Sequence, residues 1–170
     1  PAALLAVRPI EHVQVWNHRA EGAHALALGL VEQGLSAHAV EDLPAAVQRA
    51  DIVSCATLAT QPLVRGEWLR PGTHLDLIGS FTPAMREADD AAIQRSRVVV
   101  DTYVGALAEA GDLTQPIERG VITREHVVAE LAQLLRGEVR GRVTVDDITL
   151  FKSVGTALED LAAARLVAQA

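Results

Sequence analysis

One short run carries most of the residues that could do chemistry: His74-Leu75-Asp76-Leu77-Ile78-Gly79-Ser80-Phe81-Thr82-Pro83-Ala84-Met85-Arg86-Glu87-Ala88-Asp89. Its first five residues alternate and then turn apolar, the pattern of a buried strand running toward a ligand-facing edge. Gly79 and Ser80 then remove side-chain bulk, which lets backbone N–H groups approach a bound molecule closely. Pro83 ends the strand, and Ala84 to Ala92 reads as the start of a polar-faced helix. In an open α/β sheet the carboxyl ends of the strands are where ligands sit. An ordinary strand–turn–helix corner accounts for the same local pattern equally well.

Other reactive side chains point to little. Cys55 is the single cysteine and lies in an apolar stretch, so a buried, inert thiol is expected and no disulfide can form within the chain. The six histidines show no metal-ligand spacing with Cys55 or with carboxylates, so no metal site is expected. Lys152 is the only lysine among 15 basic residues and reads as a solvated surface charge. Glu159 and Asp160 read as structural or solvent-facing, and the pairs Asp89-Asp90 and Asp146-Asp147 as helix or strand ends. The net charge of −7, with no basic run, argues against nonspecific nucleic-acid binding. No apolar run approaches the ~20 residues of a membrane helix, and no signal peptide opens the chain. The expectation is a cytoplasmic protein with no membrane or nucleic-acid partner.

The elements that must position these residues follow from periodicity. Strands are expected at His12–Trp16, Leu35–Val40, Asp51–Ala56, His74–Ile78 and Arg97–Asp101, with helices at Glu21–Gln33, Leu43–Ala50 and near Ala88–Arg95. Thr60 to Gly72 reads as a loop. This β-α-β-α-β order predicts a parallel, doubly wound α/β sheet. Tyr103 to Ala110 is read as a short helix stopped by Gly111, and Thr114 to Gly120 as loop. Thr123 is read as the N-cap of a helix carrying Val127, Val128, Leu131, Leu134 and Leu135 on one face. Val143 to Phe151 reads as a further strand and Gly155 to Gln169 as a final Ala-rich helix.

Three stretches resemble the ornithine cyclodeaminase/mu-crystallin family. Ile78 to Asp89 is similar to its I-G-[SA]-x-x-P-x-x-R-E-[LA]-D segment. Val13-Gln14-Val15-Trp16-Asn17-His18-Arg19 is similar to its second Rossmann strand. Phe151-Lys152-Ser153-Val154-Gly155-Thr156-Ala157-Leu158-Glu159-Asp160-Leu161-Ala162-Ala163-Ala164 is similar to its C-terminal S-x-G-x-A-x-[EQ]-D-x-x-A-A segment. The resemblance implies a Rossmann-like dinucleotide-binding sheet in which Asn17, His18, Arg19, Ala56, Thr57, Leu58, Ile78, Gly79, Ser80 and Ser153 hold the cofactor. Phe81 and Thr82 would line the substrate pocket. No carboxylate stands at the end of the Val13–Trp16 strand to take a ribose 2′-OH, and Arg19 offers donors for a 2′-phosphate, so NADP(H) is expected over NAD(H). A solvated turn arginine fits Arg19 as well. The tips at Asn17, Thr57 and Gly79 are expected to gather on a single rim.

Phe81 stands where the cyclodeaminases carry an acidic residue used on the substrate amine. A phenyl ring moves no proton, so the resemblance favours the branch that reduces cyclic imino acids such as 1-pyrroline-2-carboxylate to proline. An amino-acid cyclodeaminase or dehydrogenase and a non-catalytic NADPH-binding protein are the alternatives. The chain has no G-x-G-x-x-G fingerprint and begins where the helix after it is expected. It therefore reads as the C-terminal part of a longer homodimeric enzyme, lacking the first strand and Gly-rich loop. Residues 1–125 would form a partial NAD(P)-binding domain. Residues 126–170 would be a helix–strand–helix returning to an N-terminal dimerisation and substrate domain, which carries the carboxylate clamp.

Overall fold

The computed structural model describes the backbone of residues 2–169 and the side chains of residues 4–169. The chain forms two compact units that divide between Ala46 and Val47. The first holds α1 (Ala2–Val7), β1 (Val13–Val15), α2 (Ala20–Glu32) and β2 (Ala37–Ala39), and α3 (Leu43–Arg49) carries the division. β1 and β2 pair in parallel, Val13 opposite Ala37 and Val15 opposite Ala39. The helical spacing of Ala23, Ala27 and Leu30 lays one face of α2 against Val15, with Val13, Leu35, Ala37 and Ala39 at its margin. Small alanines allow this close packing with few aromatics.

The second unit holds five strands: β3 (Ile52–Cys55), β4 (His74–Leu77), β5 (Ser96–Val100), β6 (Val127–Glu130) and β7 (Ile148–Lys152). Their order is β3-β4-β7-β5-β6, and every neighbouring pair is parallel. The last strand in sequence is thus the central one. Leu75, Leu77, Val98, Val100 and Leu150 are at most 1% exposed. Burying each such side chain stabilises by about 1.5–3 kcal/mol. The doubly wound parallel expectation holds for this sheet.

The helices differ from the sequence expectation in three places. The segment after Pro83 stays irregular until α4 (Asp90–Arg95), because Asp89 is the N-cap, its carboxylate accepting from Ala92 N at 2.8 Å and Gly66 N at 2.9 Å. After α5 (Tyr103–Glu109), Gly111 does not stop a helix but begins α6 (Gly111–Glu118), over residues expected as loop. A Cβ at Gly111 would meet the carbonyl oxygens of Met85, of Pro83 at 2.7 Å and of Thr82 at 3.0 Å. The glycine is there for close backbone approach.

The expected Thr123 helix is instead a turn at Arg124–His126, the strand β6 and the short α7 (Leu131–Leu135). Val127 and Ala129 are buried while Val128 and Glu130 are half-buried, a period of two that suits the β-branched valines. The Val143–Phe151 strand begins only at Ile148. Before it, Asp147 gathers Val143 N at 2.7 Å, Thr144 N at 3.0 Å and Thr144 Oγ1 at 2.6 Å. Those donors, the Thr144 hydroxyl foremost, pull its carboxyl down to about 2. α8 (Ala157–Gln169) has no buried residue, so Glu159 and Asp160 face solvent as expected.

Candidate functional site

Register places Cys55, Leu77, Lys152 and Val100 in one row across β3, β4, β7 and β5. The residues that follow each of them emerge at the carboxyl edge of the sheet. Ala56, Thr57 and Leu58 follow β3; Ile78, Gly79, Ser80, Phe81 and Thr82 follow β4; Asp101 follows β5; Ser153 follows β7. The expected site residues of this unit therefore share one edge. Leu58 (70%), Ile78 (43%) and Phe81 (43%) are exposed there, while Ser80 is fully buried. Asn17, His18 and Arg19 lie in the other unit, exposed, between β1 and α2. There Asn17 Oδ1 accepts from Arg19 N at 2.9 Å, shaping the turn that opens the helix.

Beneath the edge lies a buried polar cluster that sequence reasoning missed. Lys152 is fully buried, not a surface charge. Its Nζ donates to Leu77 O at 3.2 Å and to Gly79 O, and stands 3.9 Å from Asp112 Oδ2. Asp112 Oδ1 accepts from Glu87 N at 2.8 Å and Ala88 N at 2.9 Å. Glu87 Oε1 accepts from Thr57 N at 2.6 Å and Thr57 Oγ1 at 2.8 Å. The Thr57 hydroxyl proton is thus committed inward. Ser80 Oγ donates to Met85 O at 2.8 Å and accepts from Asp112 N at 3.1 Å.

Asp101 does similar work under Ser153. Its Oδ2 accepts from Ser153 Oγ at 3.1 Å and from Val154 N and Gly155 N, each at 2.8 Å. Ser153 can still accept from a ligand N–H, but its own proton is taken.

A signal for Lys152 was present in the sequence. Ile148, Leu150 and Lys152 share a parity, so an inward strand face carries the lysine too. Asp112 and Glu87 had no comparable pattern.

Burial pushes the carboxyls of Glu87 and Asp112 up, against the N–H groups and Lys152 that hold them charged. Burial pushes the Lys152 ammonium down, against Asp112 and Glu87. It also drives the Cys55 thiol far up, with Glu87 and Asp112 adding to the effect, so the thiol is inert as expected. Glu87 Oε2 has no hydrogen-bond partner among the described residues. A carboxyl whose folded value is raised stabilises below its unfolded value, 4.5, and loses that contribution as pH rises through the folded value. Glu87→Gln, which keeps an acceptor for Thr57 without the charge, should therefore melt higher than wild type near pH 8. A 1 kcal/mol relief corresponds to roughly 2–4 °C. The gap should close toward pH 4; melts showing a gap that widens on acidification would contradict the assignment.

Comparison with known proteins agrees with this architecture. The profile of the ornithine cyclodeaminase/mu-crystallin family matches residues 2–170. The chain belongs to that family. Within the family it is 48% identical over 170 residues to the delta(1)-pyrroline-2-carboxylate reductase of Paracoccus denitrificans, covering 98% of this chain and 53% of that one. Among solved structures it is similar to the delta(1)-pyrroline-2-carboxylate reductase of Thermococcus litoralis in complex with NADH and L-proline. That likeness has a TM-score of 0.94 at 38% identity, over 97% of this chain and 51% of the other. An archaeal alanine dehydrogenase dimer with bound NAD gives 0.90 at 30% identity, over 98% and 51%. The chain spans about half the length of the family members it matches. Among the described residues no helix is long and apolar enough to cross a membrane, and no cluster of three or more His, Cys, Asp or Glu could hold a metal.

Proposed function

We propose that the protein carrying this chain reduces a cyclic imino acid, 1-pyrroline-2-carboxylate or a close analogue, to the corresponding amino acid with a nicotinamide dinucleotide. The observation that carries this is Phe81, half-exposed on the open rim directly after the Gly79–Ser80 turn. An apolar ring there gives an imine ring a surface to pack on and supplies no acid or base for deamination. The likeness to two pyrroline-2-carboxylate reductases supports the same reading.

The nicotinamide supplies the hydride; the chain's work is orientation and exclusion of water. The residues fit such a group. Gly79 and Ser80 are buried, and neither N–H donates to an acceptor among the described residues. A side chain at Gly79 would collide with Thr57 O and the Glu87 carboxylate, so the glycine lets the turn after β4 pack closely on the turn after β3. Ser153, its proton held by Asp101, would accept from the carboxamide N–H. The dimeric state of the alanine dehydrogenase relative supports a homodimer.

The test uses the gene's full-length product. NADPH oxidation on 1-pyrroline-2-carboxylate is expected, with no ammonia released from ornithine; the opposite pattern would return the protein to the cyclodeaminase branch.

For the cofactor, Asn17-His18-Arg19 favours the 2′-phosphate of NADP(H), with no carboxylate to repel it. NAD(H) is the second reading, favoured by the NADH and NAD held in the two solved relatives. Arg19→Asp separates them. A hydrogen bond to a charged group is worth about 1.5–3 kcal/mol, so on the first reading the variant's KM for NADPH rises about tenfold or more while that for NADH does not. Unchanged KM values for both cofactors would establish the second.

A further inference from the structure

We propose that Asp101 sets a specificity of the carboxyl edge: its carboxylate accepts the hydrogen bond of the Ser153 hydroxyl, so that Ser153 meets a ligand only as an acceptor and selects a ring carboxamide N–H. This rests on the reductase reading and adds to it a positioning residue that touches neither cofactor nor substrate.

The sheet brings the two side chains together. Val100 and Lys152 are register partners on β5 and β7, so Asp101 and Ser153 are the next pair. Paired neighbours on parallel strands send their side chains to the same face. Both backbones are anchored, Asp101 N donating to Lys152 O and Ser153 N to Leu77 O, each at 3.1 Å. Asp101 is 4% exposed, whereas Ser153 and Val154 are half-buried and Gly155 is exposed. The carboxylate therefore lies under the edge, and the turn it holds lies on it.

Asp101 is bonded by donors of two turns. Oδ1 accepts from Thr102 N at 2.6 Å. Oδ2 accepts from Ser153 Oγ at 3.1 Å and from Val154 N and Gly155 N at 2.8 Å. A hydroxyl has one proton and two lone pairs. The Ser153 proton goes to Oδ2, one lone pair takes Gly155 N at 3.3 Å, and the other remains for a ligand. The start of α5 backs the turn. A methyl on Gly105 would stand 3.0 Å from Val154 Cγ2 and 3.1 Å from Thr102 Oγ1, so helix and turn are packed together. A nicotinamide carboxamide presents both N–H donors and a carbonyl oxygen, and only an N–H finds a partner at Ser153. An acetyl group of the same shape has no N–H to offer.

The experiment titrates the full-length product with NADPH, or with NADH if that binds more tightly, and with the same cofactor carrying an acetyl group in place of the carboxamide. The readout is the ratio of the two Kd values. Wild type should favour the carboxamide form by roughly three- to tenfold, the net worth of one hydrogen bond. Asp101→Ala frees the hydroxyl to turn and donate to the acetyl oxygen, and Ser153→Ala removes it, so both should bring the ratio near one. Asp101→Asn keeps an oxygen on the Ser153 side. It should hold the wild-type ratio, while its NH2 group, facing Thr102 N–H, lowers stability. A role confined to stability would lower the folded fraction of Asp101→Ala and leave the ratio of the folded protein unchanged. That result overturns the proposal, as does a wild-type ratio near one or a Ser153→Ala ratio equal to that of wild type.

Turnover is read separately. If wild type shows the ratio but oxidises neither cofactor on 1-pyrroline-2-carboxylate, the reductase reading fails and the role of Asp101 stands; binding of neither form overturns both. If Asp101→Ala does not fold, a crystal structure of the wild type with cofactor decides. Ser153 Oγ at about 3 Å from the carboxamide nitrogen, still bonded to Asp101, supports the proposal. A carboxamide beyond its reach overturns it.

Discussion

Gly79→Ala is expected to cost at least about 3 kcal/mol of stability, at or beyond the upper end of what one extra methyl does in a packed interior. The reason is what the methyl meets. Thr57 O is backbone, and the Glu87 carboxylate is pinned by Thr57 N and Thr57 Oγ1 at 2.6 and 2.8 Å. Neither is the far end of a flexible side chain, so neither can step aside without opening the turn after β3 or the one after β4. Both turns form the carboxyl edge. Activity should therefore fall further than stability, and the protein that stays folded should bind cofactor poorly. Gly29→Ala is the matched control. Gly29 sits inside α2, and an added methyl there has nothing within 4 Å, so alanine should stabilise by about 0.5–1 kcal/mol. Denaturant midpoints at unchanged slope read both effects. A Gly79→Ala protein as stable as wild type would mean that Thr57 and Glu87 do not stand where the structure has them.

The contrast between those glycines shows what a sequence can and cannot disclose. Period-two burial along His74–Leu77 and Ile148–Lys152, and helical spacing along α2, were readable because each depends only on neighbours in the chain. The place of β7 between β4 and β5 was not, since it joins residues 75 apart, as the His74 Nδ1 and Thr149 Oγ1 contact does at 2.8 Å. That topology, together with the inward parity Lys152 shares with Ile148 and Leu150, buries a lysine expected at the surface. The Ile78–Asp89 segment was legible in its first half, where Gly79 and Ser80 have obvious uses at a strand end. Its second half reads in sequence as the start of a helix, yet it supplies the frame. Arg86 pairs with Asp90, Glu87 holds Thr57, and Asp89 caps α4 while fixing Gly66. Gly111, which begins α6 rather than ending α5, is hidden for the same reason. A glycine required by a distant backbone looks, in one dimension, like one that ends a helix.

Asp112→Ala is the substitution in which the charge balance of the buried cluster shows most directly. It removes the acceptor of Glu87 N and Ala88 N and the nearest counter-charge of a fully buried lysine. Breaking one side of a buried ion pair costs about 3–5 kcal/mol, and we expect a loss in that range near pH 7. Asp112→Asn retains an acceptor for the two N–H groups and should lose less, the difference between the two variants measuring the backbone contacts. The pH dependence then has a definite sign. Burial lowers the Lys152 value below its ordinary 10.5, and Asp112 is the first of the groups that raise it back. Without Asp112 the folded-state value drops further. A lowered base favours the folded state only once it has lost its proton, so the deficit is full below the folded value and shrinks as pH climbs toward the unfolded one. Urea unfolding of Asp112→Ala near pH 7 and again above about pH 9, where an ordinary lysine is still charged, should show the gap to wild type narrowing. A gap of constant width would mean that Lys152 keeps its charge without Asp112, leaving Glu87 to hold it there.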